Sequence, residues 1–138
     1  MKLTIMYNET IIYYSKNHPN KFEMKDYSVK FDEENRSCWD NISVFLKIED
    51  NKIKDWSFDG DTSIITTACA SVFWESIIWM ELSEILIFDY NYIVELVWDE
   101  ISDRRKPASV FGLLNTRNAI HEYLKDWKKD DFENVLPN

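Results

Sequence analysis

Cys38 and Asp40, two places apart in the segment "SCWD" (37 to 40), are the side chains of this sequence best suited to hold a soft metal ion. A cysteine acts as nucleophile or metal ligand in its thiolate form, and a nearby carboxylate can add an oxygen donor. A stable zinc or iron-sulfur site takes about four such donors, so this pair is half a site. The plainer alternative is a turn or core cysteine beside an aspartate that caps a turn. The other cysteine, Cys69, lies in a long apolar run and reads as a core thiol. The two could form one bridge, but a chain with no export signal at its start is expected to keep both as thiols in a cytoplasmic setting. His18 and His121 fall in other segments, away from this pair, and are expected to be exposed. No glycine-rich phosphate loop and no Ser/His/Asp set is present, which leaves an enzyme reading without support.

The elements that must position these residues follow from periodicity. Asn8 is placed to cap a short helix in which Tyr7, Ile11 and Tyr14 share a stripe. Tyr27, Val29 and Phe31 alternate with polar neighbours, and Ile42, Val44, Leu46 and Ile48 do so over a longer span, which is the pattern of half-buried strands. The intervening "EDNK" (49 to 52) tolerates positive φ, so the chain is predicted to reverse there and return as Ile53 to Phe58. That hairpin brings Cys38 and Asp40, just before its first strand, toward Ser63, just after its second. The start of the last helix, near Ala108, could approach the same tip.

Beyond Gly60 the character changes. Asp61, Thr62 and Ser63 are all good N-caps, and Ile64 to Trp79 runs without proline or glycine, predicting a largely buried helix. Leu82 to Phe88 and Tyr92 to Val97 read as two short helices. A longer one starts at Pro107, with Val110, Leu113, Leu114, Ile120, Leu124 and Trp127 on one face. Residues 130 to 138 read as a flexible tail, and "KDWKKDDFE" as a solvated surface. Strands followed by helices predict an α+β fold: an N-terminal helix, then a small antiparallel sheet of about three strands with helices packed on one face.

Composition bounds the function. The 138 residues, 45% hydrophobic and 15% aromatic, suffice for one domain over the whole chain, residues 1 to 138. A formal net charge of -9 opposes a nucleic-acid or anionic membrane partner, and no window has the apolar length of a membrane span. A basic protein or a metal ion suits this charge better.

The order of short motifs, "HPNKF", "SCWDN", "VFLKIEDNKIKDWSFDG", "TTACAS", "WMELSE", "RRKPASVFGLL" and "NAIHEYL", resembles the iron-sulfur cluster assembly scaffolds of the IscU, SufU and NifU N-terminal type, from about Tyr7 to Tyr123. The resemblance implies a SufE/NifU-like fold. It also implies a scaffold that takes sulfur from a cysteine desulfurase and holds iron, zinc or a nascent iron-sulfur cluster on three cysteines beside an aspartate. Cys38 and Asp40 match the first cysteine and the aspartate, whereas Ser63 and Ala108 stand at the second and third cysteine positions. Cys69 does not restore the count, since six residues beyond Ser63 on a helix it points roughly 240° around the axis. The chaperone-docking motif of one branch, Leu-Pro-Pro-Val-Lys, is absent from "DEISDRRKPAS".

Two readings follow from the resemblance. One is a scaffold-type protein with a reduced ligand set, working through Cys38 as sulfur acceptor or metal ligand with Asp40. The other is a metal-free pseudo-scaffold that keeps only a docking surface.

The chain has two glycines and six tryptophans, where ordinary usage gives roughly ten glycines in this length. Against the resembling family, Trp39, Trp79 and Trp98 stand at or near expected glycines. Either the lineage has drifted, or its UGA codons encode glycine and appear here as tryptophan.

Overall fold

The computed structural model describes residues 8–36 and 39–137. Asn8 caps α1 (Glu9–Lys16), its Oδ1 accepting from the Ile11 amide at 3.0 Å while its Nδ2 donates to the Val97 carbonyl at 2.6 Å. One asparagine therefore both starts the helix and ties it to a distant part of the chain. Tyr7, expected on the same stripe, lies outside the described residues.

Three strands, β1 (Val29–Asn35), β2 (Asp40–Glu49) and β3 (Lys52–Asp59), form an antiparallel sheet in the order β1-β2-β3. The predicted reversal is present: Asp50 and Asn51 take φ of 54° and 60°, the left-handed pair that matches the twist of a two-residue hairpin. Ile42, Val44, Leu46 and Ile48 all turn inward, as their alternation requires. A register shift between Lys47 and Ile48 accommodates the tight return. The outer edge of β3 is covered by the segment before β1. There the Asn20 carbonyl accepts from the Phe58 amide at 3.0 Å and Asn20 Nδ2 donates to the Trp56 carbonyl at 2.6 Å, which satisfies groups an open edge would leave bare.

The helices are α2 (Ile64–Ser76), α3 (Leu82–Ile85), α4 (Tyr90–Val97), α5 (Lys106–Leu124) and α6 (Phe132–Val135), with a 3₁₀ turn at Asp103–Arg105 before α5. This is an α+β fold. α5 lies across β1 and β2 and against α2, which also touches α1 and α4. Helices α2 and α5 meet almost backbone to backbone, because a Cβ at Gly112 would collide with that of Ala70. Ala70 of "TTACAS" makes this close approach possible, and all six residues of that segment are buried. Trp74 of α2 fills the centre. Its ring lies 4.9 Å from Trp56 and 5.0 Å from Phe58, and its Nε1 donates to Thr116 Oγ1 at 2.7 Å. One hydrophobic core joins residues from α1, all three strands and helices α2 to α6.

Several expectations are corrected. α2 stops at Ser76 rather than Trp79, since Trp79 has φ of 64° and cannot continue a right-handed helix. α3 stops at Ile85, and α4 starts earlier than Tyr92 because Asp89 accepts from the Asn91 amide and caps it. β1 starts at Val29 rather than Tyr27.

At the C-terminal end the differences are larger. Trp127 lies beyond α5 and is 96% exposed, and Leu124 is also exposed, so neither joins the buried face of the helix. In place of a tail over 130 to 138, Asp131 caps α6 and Val135 is 1% exposed in the core. His121 is buried rather than exposed.

Candidate functional site at the hairpin tip

Strand pairing fixes the tip. Asn35 faces Asp40 across β1 and β2, and Ser43 faces Asp59 across β2 and β3, so the chain leaving β3 passes beside the start of β2. The Asn41 amide donates to the Asp61 carbonyl at 2.9 Å. Gly60, with φ of 127°, allows this passage; a Cβ there would run into the Asn41 carbonyl oxygen.

Asp40 is 3% exposed, and its carboxylate joins β2 to the N-terminus of α2. Oδ1 accepts from the Ser63 amide at 2.8 Å and Oδ2 from Thr66 Oγ1 at 2.5 Å. These are two donors of the helix's first turn, and the positive end of the helix dipole favours a carboxylate at this place. Ser63 is the N-cap of α2, its Oγ accepting from the Thr66 amide at 3.4 Å. Thr67 Oγ1 donates to the Ser63 carbonyl at 2.8 Å. The expected convergence of Asp40 and Ser63 is therefore present, as a hydrogen-bonded joint.

The other candidates divide. Cys38, the expected sulfur acceptor and metal ligand, lies outside the described residues. Ala108 is buried in the first turn of α5, where its methyl offers no donor. Cys69 is 0% exposed, and burial pushes its thiol up to about 12, so it stays protonated and inert at neutral pH. Trp39 is 87% exposed beside Asp40, and with Glu34, Asn35, Arg36 and Asn41 the two line a shallow depression open to solvent. Among the described residues no group of three or more His, Cys, Asp or Glu side chains could hold a metal ion.

Sequence reasoning missed a second polar cluster at the far end of α5. His121 sits between two carboxylates, Nδ1 at 2.8 Å from Asp126 Oδ2 and Nε2 at 3.0 Å from Asp130 Oδ2. Arg117 Nε donates to the same Asp130 oxygen at 2.9 Å and its Nη1 to the Phe88 carbonyl at 2.9 Å. Asn118 exchanges hydrogen bonds with the Asp130 backbone at 2.7 and 3.0 Å. Asp126 is held below the usual carboxylate range by the Lys128 amide first and by His121 second. The available signal was the i, i+4 spacing of Arg117 and His121, which puts both on one side of α5. Each group has its partner inside the cluster, which clasps the C-terminal segment to the helix.

Comparison with known proteins agrees with this architecture. The model of the NifU-like N terminal domain family matches residues 6–130. The iron-sulfur cluster assembly scaffold protein IscU of Thermotoga maritima is 35% identical over 85 residues, a match covering 62% of this chain and 60% of that protein's length.

Among solved structures, a SUF-system iron-sulfur cluster assembly scaffold protein of Fervidobacterium islandicum AW-1 superposes with a TM-score of 0.74 at 21% identity, covering 86% of this chain and 99% of that one. The N-terminal NifU-like protein of Brucella abortus superposes with a TM-score of 0.71 at 14% identity, over 89% of this chain and 96% of that one. At these identities the structures establish the shared fold. Among the described residues no helix is long and apolar enough to cross a membrane.

Proposed function

Because the chain belongs to the NifU-like N-terminal domain family, we propose that it works in iron-sulfur cluster assembly as a scaffold-type protein with a reduced ligand set. It takes up sulfur or metal through Cys38, with Asp40 as a second donor, while docked on a cysteine desulfurase. The supporting observation is the joint of Asp40 with Ser63 and Thr66, which fixes the start of β2 against α2 two residues after Cys38 in the chain.

Iron and sulfide are cargo in this reading. A cluster held through assembly takes about four donors, and the positions Cys38, Asp40, Ser63 and Ala108 supply one thiol and one carboxylate. Ser63 keeps its proton near neutral pH and is already used as a helix cap, and Ala108 has nothing to donate. The set does not fit a stable cluster, so the role is transfer rather than storage. In the sulfur step the Cys38 thiolate attacks the outer sulfur of a desulfurase persulfide. A new S–S bond forms on Cys38, the enzyme's S–S bond breaks, and its cysteine leaves as thiolate.

Incubation with a cysteine desulfurase and cysteine, followed by intact-mass and peptide analysis, should show one extra sulfur on Cys38, absent in Cys38→Ser. Zinc titration should give a weak site that Asp40→Asn weakens further. Finding no sulfur on Cys38 together with no zinc binding would sink this reading. The double variant Ser63→Cys, Ala108→Cys should gain the ability to retain a reconstituted cluster.

A second reading, a metal-free interaction protein, is favoured by one observation: both oxygens of Asp40 already accept hydrogen bonds, so the tip is complete as a structural joint. Desulfurase capture unaffected by Cys38→Ser, with no sulfur transferred, would select it.

A further inference from the structure

The tryptophans fall into two classes with nothing between them. Trp56 and Trp74 are 5% and 0% exposed and pack against one another in the core, ring centroids 4.9 Å apart and tilted by 32°. Trp39, Trp79, Trp98 and Trp127 are 87%, 55%, 86% and 96% exposed, and all four are left-handed, with φ of 58°, 64°, 61° and 65°. An L residue there brings its Cβ against the backbone carbonyl, and for a bulky side chain this conformation is an outlier; glycine alone takes it freely. Of the other non-glycine residues at positive φ among those described, Asp50 and Asn51 are types that tolerate it at a hairpin turn, and Lys125 is a helix C-cap.

Trp39, Trp79 and Trp98 stand at three different turns, and Trp127 in the irregular segment after α5. Trp98 is the left-handed cap of α4, its amide donating to the Val94 carbonyl at 2.9 Å, a place that glycine fills most often. The Trp79 amide donates to the Ile53 carbonyl at 2.6 Å, where the chain leaving α2 meets β3. Trp39 sits in the turn before β2, and Trp127 three residues beyond the end of α5. Largely exposed rings recover little burial to offset the strained backbone.

We infer that the polypeptide made by its source organism carries glycine at 39, 79, 98 and 127, through UGA codons read as glycine, while Trp56 and Trp74 are true tryptophans from UGG. Two codons account for the two classes, and the exchange moves glycine content toward the ordinary value of roughly 7%. Position 127 has no counterpart among the positions singled out by family resemblance; its conformation and exposure alone place it with the others. The consequence at the tip is a Cys-Gly-Asp segment with no indole between Cys38 and Asp40. The inference stands independently of the proposed function.

Sequencing the gene, with peptide mass spectrometry of the protein isolated from its source, tests it. The expected result is TGA at 39, 79, 98 and 127 with glycine in the matching peptides, and TGG at 56 and 74. TGG at any of the four, or tryptophan in their peptides, overturns it. In recombinant protein, the combined W39G, W79G, W98G and W127G variant should unfold at a higher denaturant concentration than the tryptophan form. A lower midpoint would count against the inference.

Discussion

The hairpin tip and the clasp at the far end of α5 each centre on a nearly buried aspartate, held in different ways. Asp40 takes neutral donors, the Ser63 amide and the Thr66 hydroxyl, at the positive end of a helix. Asp130 shares one oxygen between the Arg117 guanidinium and the His121 ring. The clasp carries its own cation, so it is electrostatically closed. The two carboxylates thus differ in what holds them rather than in burial: a guanidinium and a histidine ring at the clasp, neutral donors at the tip.

That contrast can be broken at its strongest point first. Asp130→Ala should cost about 3 kcal/mol in denaturant unfolding, because it strands the mostly buried Arg117 beside His121. Proteolysis should then release the segment from Asp126 onward. Asp40→Ala should cost about 2 kcal/mol, the penalty for leaving the helix's first-turn donors without an acceptor. A loss at Asp40 equal to that at Asp130 would show that the tip is closed in the same sense as the clasp.

Ser63→Ala should cost about 1 kcal/mol, an ordinary cap loss, read from the same unfolding curves. The smallest effect concerns Asp126. A carboxyl held below its unfolded value contributes stability above that value and loses it as pH falls through the depressed folded value. Wild type should therefore lose more stability than Asp126→Asn between neutral and strongly acid pH, read as a larger fall of the unfolding midpoint in acid titration, and solvent screening keeps the difference small.

Much of the frame was legible before any coordinates. The alternation from Ile42 to Ile48, the Asp50-Asn51 turn and the caps Asn8 and Ser63 are local signals, each set by neighbours in the chain, and each sits where it was expected. The convergence of Asp40 with Ser63 followed from the hairpin by geometry alone. The C-terminal end was misread for a physical reason. His121, Asp126 and Asp130 are polar and close in sequence to lysines, so locally they resemble a solvated surface; their burial depends on one another and on Arg117 a helical turn away. Likewise the segment read as a tail from 130 onward is anchored by Phe132, which stacks on Phe111 with ring centroids 6.3 Å apart, and by the buried Val135.

By itself, the sequence determined the order of elements, the family, and which residue types stand at the four motif positions: Cys38, Asp40, Ser63 and Ala108. Local periodicity and side-chain chemistry need no partner to be read. Only the tertiary structure decided how Asp40 spends its carboxylate, that Cys69 is sealed in the core, that His121 is clasped, and that Trp39, Trp79, Trp98 and Trp127 occupy left-handed backbone. Burial, hydrogen-bond pairing across twenty or more residues and the sign of φ arise from packing distant segments together, and a linear pattern does not carry them.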